Sequence, residues 1–149
     1  MNNDEFPKKI EESAKNLKRL RGNVVHNTLD IEYGISAILT NYYIKTERHS
    51  EFLIKSLSDE SFNFGLKFRI FQKTFPKESY QGFFEDIRTI MHIRNVLAHA
   101  PMMGLNGEIL YNKGLRIEIE EAQKLHNEFY KLHTKVLEEL NKILNNKGQ

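Results

Sequence analysis

Apolar residues recur along this chain mostly at helical spacing. From about Thr28, the positions Ile31, Ile35, Ile38, Leu39 and Tyr42 follow i, i+4, i+7, i+8 and i+11, which predicts a helix with one buried stripe. Ahead of it, Pro7 suits a first helical turn, and Ile10, Leu17 and Leu20 stand among charges. They predict a shorter amphipathic helix over 7–21 that ends near Gly22.

Phe52, Leu53 and Leu57 predict a short helix after Arg48, and Ser58-Asp59-Glu60-Ser61 reads as a break followed by a cap. The next helix spans 61–75, with Phe64, Phe68, Phe71 and Phe75 as a core stripe, and Pro76 ends it. Ser79 caps a further helix carrying Phe83, Ile87, Ile90, Met91 and Ala98, which Pro101 requires to finish by Ala100. Two turn-prone stretches follow, Gly104-Leu105-Asn106-Gly107 and Asn112-Lys113-Gly114. Between and after them lie Glu108-Ile109-Leu110-Tyr111 and Arg116-Ile117-Glu118-Ile119, so a small β-hairpin is expected. A long last helix opens on acids and carries Leu125, Phe129, Leu132, Val136, Leu140 and Ile143. The expected fold is all-α: a compact bundle of five to six helices, with the hairpin inserted before the C-terminal helix, in a single domain over 1–149.

Composition narrows the function classes. With no cysteine, a disulfide framework and a thiolate metal site are both excluded. The start, MNNDEFPKKI, lacks the order of a secretory signal, and the longest apolar runs fall far short of the roughly 20 residues of a membrane-spanning helix. A cytoplasmic protein without a membrane span is expected. A net charge of +2 is too small to imply nucleic-acid binding by the whole surface. The local gatherings Lys15, Lys18, Arg19, Arg21 and Lys67, Arg69, Lys73, Lys77 read as solvated helix faces.

The chemistry concentrates at Arg94. At about 100° per residue, Arg94 points from the centre of the stripe made by Phe83, Ile87, Ile90 and Ala98. A guanidinium is never neutral in a protein and is costly to bury unpaired, so something must receive it. Two readings stand side by side: a structural arginine tied to an acid, with Glu32 preferred over Asp86 and Glu85, or an arginine facing an anionic ligand such as phosphate. His99 follows at the helix end, where it reads by itself as a surface or capping histidine. His92 lies half a turn away from Arg94. His126 and His133 are about 10.5 Å apart along one helix, too far to bind one metal directly, and read as solvated. The phosphate loop, the His-Glu-x-x-His helix and the Gly-x-Ser-x-Gly elbow are all absent.

Ile93-Arg94-Asn95-Val96-Leu97-Ala98-His99 resembles the Arg-x(4 to 6)-His motif of the HEPN superfamily, including the asparagine that commonly follows the arginine. At the level of helix order the resemblance covers residues 28–144. Phe64-Gly65-Leu66-Lys67-Phe68 together with the stretch from Asp86 to His99 looks most like the mannitol-operon repressor branch. The resemblance implies a metal-independent endoribonuclease of the toxin or defence kind, built as a homodimer whose paired motifs line one cleft. The resemblance makes His99 the acid-base group, Arg94 the phosphate clamp and Asn95 an orienting residue, and Glu32 and Lys67 stand beside it as candidate substrate-binding or supporting residues. It implies no cofactor, RNA as a partner, and a protein antitoxin or regulator. Pro101 stands where one HEPN subtype carries a tyrosine, so regulation through that tyrosine is not expected. The rival expectation is a non-catalytic regulatory or protein-binding module, in which Arg94 pairs with an internal carboxylate while Asn95 and His99 secure the helix end.

Overall fold

In the first helix Leu17, Leu20, Val24, Thr28, Ile31, Ile35, Ile38 and Leu39 are buried at intervals of one, three and four, and Ser36 and Thr40 are buried beside them. That spacing keeps one face inward without interruption across Gly22. In the structure of the protein, a computed structural model that describes residues 5–99, 102–103, 109–111, 115–117 and 119–146, they form one continuous helix, α1 (Glu5–Tyr43). The break expected near Gly22 does not occur. A glycine inside a helix costs only about 1 kcal/mol relative to alanine, and burial of Leu20 and Val24, both at 0% exposure, outweighs it. Thr28, expected to begin a second helix, lies inside α1 and returns its hydroxyl to Val24 O at 2.6 Å. Thr40 does the same to Ser36 O at 2.7 Å, which satisfies a buried hydroxyl without leaving the helix.

Gly22 is exposed, and an added Cβ there would meet nothing within 4 Å. Gly22→Ala should therefore stabilise the protein by about 0.5–1 kcal/mol. Urea unfolding checks this; a destabilised variant would mean that the chain needs glycine there to turn.

After α1, a single 3-10 turn leads into α2 (His49–Phe52) and a π-helical turn over Leu53–Leu57. Then α3 (Phe64–Thr74) starts at the Asn63 side chain, whose Oδ1 accepts from Leu66 N at 3.0 Å. Asn63 is thus the cap, rather than the serine cluster before it. Phe75 leaves α3 with extended backbone, φ −108° and ψ 143°, as the following proline demands. Next come α4 (Lys77–His99) and, at the end, α5 (Ile119–Asn145). Between them the strands β1 (Met102–Met103), β2 (Ile109–Tyr111) and β3 (Leu115–Ile117) pair antiparallel in the order β1-β2-β3, with Leu110 opposite Arg116. The turns expected around Gly104 and Asn112, Pro101, and the side chains of Pro7 and Ile10 lie outside the described residues. No described helix is long and apolar enough to cross a membrane.

The chain divides into two compact units, Met1–Thr28 with Arg88–Leu132, and Leu29–Ile87 with His133–Gln149. In the first, Leu17, Leu20 and Val24 of α1, Ile90, Ile93, Val96 and Leu97 of α4, and Ala122 and Phe129 of α5 are buried. The second is built on aromatic rings: Phe71 and Phe84 pack edge to face at 6.0 Å, and Phe68 meets Phe84 at 6.1 Å, arrangements that add to simple area burial. Here α1 and α5 approach closely, since a Cβ on Gly34 would stand 2.9 Å from Leu140 Cδ1.

In α5 the buried positions are Ala122, His126, Phe129, His133, Val136 and Leu140. This is a regular 4-3-4-3-4 seam in which two histidines hold core places, so His126 and His133 are not solvated as expected. His133 Nε2 lies 3.5 Å from Asp30 Oδ2.

Candidate functional site

The last turn of α4 leaves carbonyl oxygens without intrahelical donors, as every helix end does. Leu97 O is a special case. In a continued helix it would accept from the N–H of residue 101, but that residue is proline and has none. Arg21 of α1 supplies the missing donor: its Nε donates to Leu97 O at 3.1 Å. A cation at a helix C-terminus is also favoured by the helix dipole. The turn fixed in this way carries His99.

Arg94 sits one turn further back, among Ile90, Ile93 and Leu97, which are all 1% exposed or less. Its position falls within this apolar seam, and the residue as a whole is half-buried. Nη1 donates to Asn95 Oδ1 at 3.0 Å and stands 3.5 Å from His99 Nε2. Nε is buried and has no hydrogen-bond partner among the described residues.

Each acid expected to receive Arg94 is engaged elsewhere. Glu32 accepts from Lys67 Nζ at 2.6 Å, Asp86 Oδ2 pairs with Lys135 Nζ at 2.7 Å, and Glu85 accepts from Gln81 Nε2 at 2.6 Å. Glu32 is thus the partner of Lys67 and not of Arg94. The reason is local: Lys67 sits in the Phe64, Phe68, Phe71 stripe of α3 and is 5% exposed, so its ammonium needs the nearby carboxylate. Lys67 is not part of a solvated basic face. Glu32 and Lys67 belong to the second unit, and Arg94, Asn95 and His99 to the first.

A guanidinium only donates, so in the Arg94–His99 contact the imidazole nitrogen stands on the acceptor side. His99 is exposed. A proton acceptor and a fixed cation therefore share one helix end, with Asn95 holding the guanidinium. His92 is exposed on the other side of the helix and takes no part. Among the described residues no group of three or more His, Asp or Glu side chains could hold a metal ion.

Arg21 escaped the sequence reading, which counted it with a basic face. Pro101, four residues after Leu97, signals an orphaned carbonyl, but nothing in the sequence says which donor 76 residues away reaches it.

A polar ladder joins α1 to α5 in the same unit: Arg19 Nη2 donates to Gln123 Oε1 at 3.1 Å, Asn23 Nδ2 lies 3.4 Å from His126 Nε2, and Asn27 Nδ2 donates to Tyr130 OH at 3.3 Å. Burial first, and the Arg19 guanidinium second, push the His126 imidazole below its ordinary 6.5. The unfolded chain then binds a proton that the folded one refuses. Stability should fall as pH drops through 6.5 and level off below the folded-state value. Urea midpoints from pH 8 to pH 5 check this: the drop in wild type should shrink in His126→Gln, and an identical drop in both would assign it to other groups.

The features together define a helical protein with an arginine, asparagine and histidine converged at the end of one helix. In comparisons with known proteins, no family model, no curated protein and no solved structure matches the chain.

Proposed function

We propose that the protein is a metal-independent endoribonuclease of the HEPN type. The observation that carries this reading is the Arg94 side chain: held by Asn95, 3.5 Å from His99 Nε2, and engaged by no carboxylate among the described residues. An arginine lodged in an apolar seam, with no acid among the described residues to neutralise it, is suited to an anion from outside.

RNA brings its own nucleophile. As O2′ bonds to phosphorus and the P–O5′ bond breaks, the Arg94 guanidinium turns from His99 to the phosphate and balances the charge that grows on the non-bridging oxygens, while the freed His99 Nε2 accepts the 2′-hydroxyl proton. A protonated histidine, supplied by the second motif of a homodimer, gives its proton to O5′. The products are a cyclic phosphate and a 5′-hydroxyl, and no metal takes part. Twofold symmetry brings the two motifs into one cleft, and a cytoplasmic setting with a protein antitoxin or regulator belongs to the same reading. The regulatory-module alternative draws its support from an Arg94–carboxylate pair, and the acids it would use are engaged with other groups.

Single-stranded RNA incubated with the protein in EDTA should be cut, and Arg94→Ala should slow the cutting by about 100-fold or more. Intact RNA, cutting that EDTA stops, or an Arg94→Ala variant as fast as wild type would each reject the assignment.

A further inference from the structure

We infer that Arg21 is a positioning residue for the His99 site: by donating to Leu97 O it fixes the last turn of α4, and so sets His99 Nε2 against Arg94. The inference rests on the ribonuclease reading for its kinetic consequence, but not for its geometry.

A proline after a helix removes the amide that the carbonyl four residues earlier would use in a continued α-helix, and here that carbonyl is Leu97 O. Left open, the last turn frays, since helix ends are held only by what caps them. His99 is two residues beyond Leu97 and is itself exposed, with Arg94 as its side-chain contact at 3.5 Å. Its ring therefore goes where the turn goes. Arg21 grips that turn from α1 at 3.1 Å, and behind it Leu20 and Val24 are at 0% exposure, so the donor is mounted on a rigid part of the first unit. Arg21 is half-buried. Its Nε–H is a donor partway along the side chain, which lysine lacks; a lysine ammonium could reach the same carbonyl only from its flexible tip.

A reacting group displaced by about 1 Å loses on the order of 100-fold in rate. Loss of the grip should thus lower kcat by roughly 10- to 100-fold while KM stays unchanged, because Arg21 does not touch the substrate.

The test compares wild type, Arg21→Met and Arg21→Lys as full-length proteins. Thermal melting establishes that each is folded. The Cε1–Hε1 resonance of His99, assigned by its loss in His99→Ala, reports the ring's surroundings, and RNA cleavage in EDTA gives kcat and KM. A shifted and broadened His99 signal in Arg21→Met with lowered kcat and constant KM, partly restored in Arg21→Lys, is the expected result. An unmoved His99 signal in Arg21→Met, or a change in KM alone, overturns the inference. Should Arg21→Met fail to fold, Arg21→Lys decides by the same two readouts. If wild type cuts no RNA yet the His99 signal moves in Arg21→Met, the positioning stands and the ribonuclease reading fails.

Discussion

His99→Ala should lower the rate of EDTA-resistant RNA cleavage by about 100- to 10,000-fold, the usual yield of a positioned acid-base group, with little change in thermal midpoint. The two halves of this expectation come from different features. His99 is the exposed last residue of α4 and its contact with Arg94 is at the outer edge of hydrogen-bond distance, 3.5 Å. Removing an exposed side chain of this kind usually changes stability by no more than about 0.5 kcal/mol. Among the described side chains, the Arg94 guanidinium contacts the His99 imidazole and the Asn95 amide, and an amide cannot take a proton at neutral pH. Single-turnover cleavage at saturating protein, alongside thermal melts of both proteins, makes the comparison. A large loss of rate accompanied by an equally large loss of stability would argue that His99 serves the helix end instead.

The largest stability effect is expected in the second unit. The Lys67 side chain is 6% exposed and that of Glu32 24%, with Nζ and Oε1 2.6 Å apart. Glu32→Ala leaves the ammonium buried without its counter-charge, and breaking a buried pair from one side costs about 3–5 kcal/mol. At about 2–4 °C per kcal/mol for chains of this size, the thermal midpoint should fall by roughly 10 °C. Adding Lys67→Met to that variant removes the stranded charge and should recover most of the loss, because an apolar replacement for a buried pair is close to neutral. A fall below about 1 kcal/mol, the range of an exposed pair, would contradict the burial of Lys67. The same loss in the single and double variants would show that Glu32 contributes by packing alone.

Much of the fold was legible because it follows from spacing. The stripes of α3 and α4, the acids that open α5 and the stop before Pro76 are local features, and the structure carries them. Gly22 misled because a weak local preference was set against a seam that depends on packing: Leu20 and Val24 are buried on either side of it, and α1 passes through. The two histidines of α5 misled in the opposite way, since their polarity concealed places in a seam that the 4-3 spacing from Ala122 to Leu140 implied. Arg94 was legible as an anomaly, a charge in an apolar seam. Its surroundings were not, because the choice of Lys67 as the partner of Glu32, and the reach of Arg21 to Leu97 O, are decided by which helix faces meet in space. Lys67 shows the limit most clearly: it occupies a stripe position between Phe64 and Phe71, and only the three-dimensional arrangement says that its charge is buried with it.

The proposed ribonuclease activity requires a 2′-hydroxyl as the nucleophile. The direct measurement is cleavage, in EDTA, of an RNA oligonucleotide and of the same oligonucleotide carrying a single 2′-deoxy nucleotide at the cut position, with the fragment termini determined by mass spectrometry. Cyclic-phosphate and 5′-hydroxyl ends from the first, and no cutting at that position in the second, are the expected result. Cutting of the deoxy-substituted strand at the same position, or fragments ending in a 5′-phosphate, would contradict it.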